Sequence, residues 1–274
     1  AGQCIYPNVM LGEVNYGGMS EQQAAQQLKE SVAQARGAGV DFVLPDGTEV
    51  AHVALNEMPE HVDFDGLAKQ IYIVYGCNDS ILTAGAKYLR ALVKPQDAAT
   101  TVGLYYSPNQ LGSLVDTLCD DITCDPVEFA IHVTEDGKVS VTKPMDGRAA
   151  TDTAKEQLSM YLGGAYLSGG KPSEIVLKSD AEGGVYDVIP AQEADLAAQR
   201  EAIIGQKVNA SFDKESGTVV PGHAGVDFAL SDLQAAYDKA AAGETVDVPN
   251  AAVELPDVTT EQLEQVIFRD ELSS

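Results

Sequence analysis

The sequence predicts an α+β fold. An N-terminal α+β unit over residues 1–98 is followed by two tandem related α+β modules, over residues 99–184 and 185–274, in an elongated arrangement. Three observations favour this fold. The 274 residues are 45% hydrophobic, which suffices for more than one core in a chain of this length. Helical and alternating apolar patterns follow one another along the chain. A similar order of elements also occurs twice, with a period of roughly 80 residues.

The N-terminal unit opens with a strand-like stretch that ends in a double glycine and leads into a helix. Ser20 is the predicted N-cap, because its side chain can accept a hydrogen bond from the Gln23 N–H while Gln23 reaches back, which forms a capping box. The next apolar residues recur on one helical face: Ala24, Leu28 and Val32. A hairpin around residues 45–47 and helices near residues 65–75 and 81–92 complete the predicted unit.

The two modules share an order of elements. Each begins with an amphipathic helix, continues through a hairpin with a glycine at its turn, Gly137 or Gly217, and then reaches a glycine-rich turn, a capped helix and an extended exit segment. The exit segments are residues 173–177 and 244–248. We predict that the two copies superpose as one fold, with Gly147 and Gly222 at equivalent positions.

The charge of the chain excludes some partners. A net charge of −25 argues against nucleic acid, since the phosphate backbone favours clustered Lys and Arg. It also disfavours docking on anionic lipid surfaces. No apolar run approaches the ~20 residues that cross a bilayer. An acidic surface suits an extracellular protein, and simple solubility explains it equally well.

Two sets of residues carry a resemblance to a known family. The first is the N-terminal set Gly17, Gly18, Met19, Ser20, Ala24 and Leu28. The second comprises Gly222, Gly225 and Asp227 with the stretch 255–263, whereas the first module has Ala150 where the second has Gly225. The chain resembles the peptidoglycan-binding modules that precede VanW-type and L,D-transpeptidase catalytic domains in Gram-positive surface proteins. Residues 266–274 resemble the lead-in to a C-terminal VanW domain.

The resemblance implies where the protein lives and what it binds. It implies an extracellular protein on the surface of a Gram-positive bacterium, attached to the membrane only through an upstream anchor. It also implies that the partner is peptidoglycan or another cell-wall polymer. Two alternatives stay open. One is a structural spacer or protein-interaction module that positions a VanW-like domain, and the other is a hydrolase with an unfamiliar site, which would need carboxylates of perturbed pKa in a cleft.

The four cysteines allow disulfides in such a location. Cys119 and Cys124 can close a small loop if the chain turns between them, and Cys4 with Cys77 is a weaker second pair. The alternative is that all four are unrelated small core residues.

The sequence contains no complete motif for the catalytic chemistries considered below. An L,D-transpeptidase needs a His-Gly-Cys sequence, and Cys77 has only the glycine. The Ser140/Lys143 and Ser211/Lys214 pairs match Ser-x-x-Lys, but strand-like sequence would place Ser and Lys about 10 Å apart. The histidines lack metal-binding spacing. Residues 169–172 predict a turn, not a phosphate loop. We therefore expect a non-enzymatic chain with no metal, catalytic residue or cofactor.

Ligand contacts are expected from surface turns, since loops carry recognition more often than packed elements. Arg148 and His223 lie in the glycine-rich turns of the two modules, and a guanidinium suits the carboxylates of stem peptides. Tyr105 and Tyr106 are further candidates for stacking on sugars. The alternatives are that Arg148 pairs with a neighbouring acid and that the tyrosines are packing residues.

Overall fold

A computed structural model describes residues 4–77, 81–98, 101–102, 105–134 and 137–271; the side chains of residues 81–82 and 268–271 are not described. The fold is α+β, as the sequence predicts. The chain forms two compact units. Unit 1 comprises Ala1–Cys124 and Arg148–Val188, and unit 2 comprises Asp125–Gly147 and Ile189–Ser274.

The described residues form fifteen strands and nine α-helices. The strands are β1 (Val9–Leu11), β2 (Val14–Asn15), β3 (Gly39–Val43), β4 (Glu49–Ala54), β5 (Gln96–Asp97), β6 (Ala130–Val133), β7 (Val139–Thr142), β8 (Gly147–Ala150), β9 (Glu174–Val176), β10 (Tyr186–Ile189), β11 (Ser211–Asp213), β12 (Thr218–Val220), β13 (Gly225–Asp227), β14 (Thr245–Asp247) and β15 (Ala252–Glu254). The helices are α1 (Glu21–Ala35), α2 (Phe64–Tyr75), α3 (Ile81–Val93), α4 (Pro108–Leu111), α5 (Ser113–Ile122), α6 (Ala154–Leu167), α7 (Leu196–Ile203), α8 (Leu230–Lys239) and α9 (Thr260–Glu271). None of the described helices is long and apolar enough to cross a membrane.

Helix α1 begins as its sequence predicts. The Gln23 N–H donates to Ser20 Oγ at 3.3 Å, and the Ser20 N–H donates to Gln23 Oε1 at 2.9 Å, which completes the capping box. The predicted apolar face is buried: Ala24, Leu28 and Val32. This face packs against α2 and α6, and the apolar side chains of unit 1 form one continuous core.

Unit 1 contains two three-stranded sheets. One has the order β4-β3-β9, in which β9 pairs parallel with β3 while β3 and β4 form an antiparallel hairpin. The other has the order β2-β1-β5, in which β5 pairs parallel with β1. Strands β9 and β5 are therefore the terminal strands of their sheets.

Unit 2 is built around a three-stranded sheet of order β14-β7-β6. Helix α8 packs on β7 and β14. The apolar core of unit 2 is small and consists of Val139, Val141, Val226, Phe228, Leu233, Ala236 and Val248. The pairs β11–β12 and β13–β15 form two further small sheets.

The compact units differ from the three consecutive units that the sequence predicts. Residues 99–124 fold with the N-terminal unit, and residues 125–147 fold with the last part of the chain. The reason lies in the exit segments. Strand β9 adds to the β3–β4 hairpin, and strand β14 adds to the β6–β7 hairpin, so each exit segment completes the sheet of an earlier segment.

The register of the hairpins changes the predicted equivalence of the glycines. In unit 2, each repeat has a backbone pair that lies three residues outside its hairpin. This pair is Val127 with Met145 in the first repeat and Val208 with His223 in the second. Met145 therefore corresponds to His223. Two residues further on, Gly147 corresponds to Gly225 and not to Gly222, because the first hairpin is longer. The superposition of the whole repeats stays a prediction.

The predicted Cys119–Cys124 disulfide is not present, and both of these cysteines are free thiols. Cys119 is buried on α5, and burial raises the pKa of its thiol. The chain leaves α5 in an extended conformation at Thr123, and Cys124 pairs with Arg148, so the turn that would close the loop does not form. Cys4 and Cys77 lie side by side instead, with their Sγ atoms 3.9 Å apart.

Candidate functional site

The predicted tyrosines lie in the packing of unit 1. Tyr106 is 3% exposed, and its ring meets those of Tyr105 and Tyr166 edge-on, with centroids 5.0 Å and 6.3 Å away. The half-buried Tyr105 accepts a hydrogen bond on its hydroxyl from the Asp63 N–H at 3.0 Å. A sugar cannot stack on the buried Tyr106 ring, and this arrangement favours the packing alternative for both residues.

Arg148 and His223 do not lie in equivalent turns, and they belong to different units. Arg148 belongs to unit 1, where it is half-buried and its Nε donates to the Ile122 carbonyl oxygen at 3.3 Å. His223 belongs to unit 2, where its side chain is exposed and its backbone pairs with Val208. The hairpin register gives His223 the place of Met145, so the two residues occupy different positions in their repeats.

The best-formed candidate site is a groove of about 420 Å³ in unit 1, which we call the β9 groove. It is lined by parts of β1, β5, α6, β9 and the turn before β9: Met10, Gly12, Asp97, Met160, Tyr161, Gly164, Ala165, Ser168, Lys171, Pro172, Glu174, Ile175 and Val176. The floor is mainly apolar, and the charged side chains stand at the rim.

Helix α6 supplies one wall. Met160, Tyr161 and Gly164 recur at helical spacing and so fall on one face of this otherwise buried helix. Gly164 has no side chain, so the groove reaches the helix backbone at that point. The half-buried Met160 and Tyr161 offer a polarisable thioether and an aromatic ring to a ligand.

The turn after α6 places a cation at the rim. Gly169 and Gly170 have φ values of 81° and 83°, a region that glycine adopts without steric cost. Ser168 Oγ lies within hydrogen-bond distance of the Gly164 carbonyl, at 2.7 Å, and of the Lys171 carbonyl, so its one proton links the turn to the helix end. The prediction of a turn at residues 169–172 is confirmed, and it presents the exposed Lys171.

The edge of β9 borders the groove. The Ser173 carbonyl accepts a hydrogen bond from the Asp41 N–H, and the Leu177 N–H donates to the Val43 carbonyl. The backbone N–H and C=O groups of the odd-numbered residues therefore point towards β3. Backbone groups alternate along a strand, and those of Glu174 and Val176 therefore point to the other edge. No backbone partner for them is found in the described part of the chain.

Charges of both signs stand around the groove. Lys171 Nζ lies 3.9 Å from Glu13 Oε2, a surface pair that screening keeps weak. Asp97 and Glu174 add exposed carboxylates to the lining. The rim can therefore receive both a carboxylate and an ammonium group, above a floor that suits small apolar side chains.

Other polar groups show less organisation. His52 and Asp41 form a cross-strand pair, Nδ1 to Oδ1 at 2.5 Å, and no Ser or Thr hydroxyl among the described residues bonds to His52. No group of three described His, Cys, Asp or Glu residues could hold a metal ion. Four carboxyls have pKa values below their usual range. The pKa is lowered mainly by a hydrogen bond from the Thr48 backbone at Asp46, from the Ser216 hydroxyl at Asp213 and from the Lys207 ammonium at Asp257. At Glu261 its own backbone N–H has the largest effect on the pKa.

The Ser-x-x-Lys matches lie where the sequence predicts, on strands. Ser140 is in β7, and Ser211 is in β11. Lys143 Nζ donates to the Ala240 carbonyl at 3.0 Å and lies 5.2 Å from the centre of the Tyr237 ring. Its ammonium group therefore has a role in packing.

Comparison with protein-family models, with curated proteins and with solved structures finds no match to this chain. The β9 groove must therefore be interpreted from its own chemistry. Sequence reasoning missed its residues, although two local signals pointed towards it: the Gly169–Gly170 turn and the extended segment 173–177.

Proposed function

We propose that this chain is a non-catalytic, cell-wall-associated ectodomain that binds the peptide part of peptidoglycan in the β9 groove. The observation that carries the proposal is the outer edge of β9, which has no backbone partner among the described residues and lies beside an apolar floor. An extended peptide can add to such an edge, with main-chain hydrogen bonds providing affinity and side-chain pockets providing specificity.

The chemistry of the groove suits a stem peptide. Stem peptides carry methyl side chains, free carboxylates and an amine, and each finds a counterpart in the groove. Met10, Met160 and Ile175 offer apolar contact, Lys171 offers a cation, and Asp97 and Glu174 offer carboxylates. The N-terminal motif that resembles peptidoglycan-binding modules supports the same proposal from the sequence.

The second candidate function is protein interaction, in which the same edge takes an extended segment of a partner protein. The β9 edge supports this candidate as well, because strand addition does not distinguish a cell-wall peptide from a protein segment. The charged rim is the feature that favours the cell-wall peptide, since it matches a short ligand with both a free carboxylate and an amine.

A proline at the outward-facing N–H tests the proposal. Val176→Pro removes a donor at the free edge without removing a bond to β3, since edge strands tolerate proline where the N–H faces solvent. We expect it to abolish cosedimentation with purified peptidoglycan, whereas Val176→Thr keeps the N–H and the branched side chain and should bind like the parent protein. Equal binding by both variants would place the ligand elsewhere.

Lys171→Gln tests the charged rim. It should weaken binding of a purified muropeptide about tenfold, the effect typical of one lost hydrogen bond to a charged group. Lys178→Gln is the control, because Lys178 is also exposed and is not a lining residue. Isothermal titration measures both. Failure of the parent protein to bind any muropeptide, together with binding of an extended protein segment that Val176→Pro abolishes, would favour the second candidate.

A further inference from the structure

Helix α3 exposes an apolar surface to solvent. Val93 is 86% exposed and Leu89 is 65% exposed, and Tyr88 and Leu92 are also exposed. Among the described side chains of this helix, only Ala91 is buried. A contiguous apolar surface of this kind marks an interaction site in a soluble unit. We call the exposed set Tyr88, Leu89, Leu92 and Val93 the α3 face.

The helix is held with this face outward. Asn8 Nδ2 donates to the carbonyl oxygens of Ala91 at 3.1 Å and Leu92 at 3.2 Å, which anchors the end of α3 to the segment before β1. Ala91 is fully buried on the inner side. Val74 of α2 is also exposed and lines a groove together with residues of α3.

The same helix concentrates positive charge in an acidic protein. Lys87, Arg90 and Lys94 are three of the 17 lysines and arginines in a chain of net charge −25, and no Asp or Glu occurs between residues 80 and 96. These three cations, with Tyr6, Val74, Tyr75, Pro95 and Gln96, line a groove of about 460 Å³. Within the described residues, neither Arg90 nor Lys94 has an acidic partner within 4.0 Å.

The two kinds of side chain occupy adjacent sectors of the helix. At 3.6 residues per turn, Leu89, Leu92 and Val93 fall within about 100°, and the three cations fall in the neighbouring sector. Long basic side chains can extend along an apolar surface while their charged ends reach an anionic layer. This is the pattern of a helix that lies in the interface of a membrane.

We propose that α3 docks unit 1 on an anionic lipid surface, with the α3 face in the boundary between headgroups and acyl chains and Lys87, Arg90 and Lys94 on the lipid phosphates. A second copy of this chain fits less well, because a symmetric contact would bring the cations of the two helices together. The net charge of −25, from which the sequence predicts poor docking on anionic lipids, opposes this contact less than the sum suggests, because charges further than about 8 Å away are largely screened at physiological ionic strength.

The absence of tryptophan from the chain allows a direct test. Leu92→Trp places the only tryptophan on the α3 face, and Phe212→Trp places it on an exposed apolar site of unit 2. With the full chain and vesicles of phosphatidylglycerol and phosphatidylcholine, we expect a blue shift of the emission for Leu92→Trp and none for Phe212→Trp. Equal shifts, or no shift for Leu92→Trp, would overturn the proposal.

Vesicle flotation tests the cations. The triple variant Lys87→Gln, Arg90→Gln, Lys94→Gln should bind phosphatidylglycerol vesicles about 100-fold more weakly than the parent protein, given the contribution of each basic residue near an anionic surface. The control triple Lys69→Gln, Lys178→Gln, Lys214→Gln has the same net charge at exposed sites and should bind like the parent protein. Equal losses of binding in both triple variants would overturn the proposal. So would equal binding to pure phosphatidylcholine and to the anionic vesicles. A dimer in light scattering that Leu89→Gln dissociates would also overturn it.

Discussion

The two units use the same kinds of element and differ in how much they bury. In the described residues, the core of unit 1 contains 39 buried apolar residues, whereas that of unit 2 contains seven. Unit 1 brings the apolar faces of α1, α2, α5 and α6 together. In unit 2, helix α7 has no buried residue, and the strands β11 and β12 are mostly exposed. The α+β class therefore says little about stability, which follows the buried apolar area.

The largest expected effect is the loss of stability when a buried leucine is removed from the core of each unit. Leu233→Ala and Leu158→Ala each remove a fully buried leucine, and each should cost about 2–5 kcal/mol of unfolding free energy. Because unit 2 has so few buried residues, we expect Leu233→Ala to unfold it while unit 1 stays folded. Leu158→Ala should lower the melting temperature of unit 1 and leave it folded.

Hydrogen exchange followed by mass spectrometry measures this difference. Amides of α8 and β7 should lose protection in the Leu233→Ala variant, and those of α1 and α6 should keep it. In the parent protein, the α8 amides should already exchange through a less costly opening than those of α6. Simultaneous loss of protection in both units would show that they unfold as one and would contradict the expected difference in stability between them.

A smaller effect concerns alkaline pH. Burial raises the pKa of Tyr16 in unit 1 to about 12, from 10 in an unfolded chain. Above pH 10 the unfolded chain loses this proton first, so the stability that the neutral phenol contributes is present below pH 10 and is lost as the pH rises to about 12. The total change is about 2–3 kcal/mol. The stability difference between parent and Tyr16→Phe, measured by urea unfolding at pH 8 to 11.5, should therefore change with pH; a constant difference would contradict the shift.

The smallest effect concerns the ring cluster of unit 1. The hydroxyls of Tyr106 and Tyr166 are buried and have no hydrogen-bond partner among the described residues, which costs free energy. Tyr106→Phe should therefore raise the free energy of unfolding by about 1 kcal/mol, measured by urea unfolding. Tyr105→Phe is the matched control, since the Tyr105 hydroxyl is bonded to Asp63 and its loss should destabilise. Destabilisation by Tyr106→Phe would show that this hydroxyl contributes to the folded state.

Local interactions were determined by the sequence itself. The capping box of Ser20 and Gln23 spans three residues, and the turn at Gly169 and Gly170 depends on the backbone freedom of two adjacent glycines, so each can be predicted from its own segment. The buried face of α1 follows from helical periodicity alone. The hairpins of the two repeats could likewise be predicted from the glycines at their turns, Gly137 and Gly217, both of which have positive φ.

Only the tertiary structure decided which segments pair and which faces stay exposed. Strand β9 adds to β3, more than 100 residues earlier in the chain, and β14 adds to β7 over a similar separation; a three-residue strand does not specify its partner at that distance. The β9 groove and its free edge result from this pairing. The same holds for α3, whose apolar pattern predicts a helix but does not show whether another element covers Leu89 and Val93. Helical spacing alone groups Lys87, Arg90 and Lys94, but only the fold leaves the apolar side chains beside them uncovered.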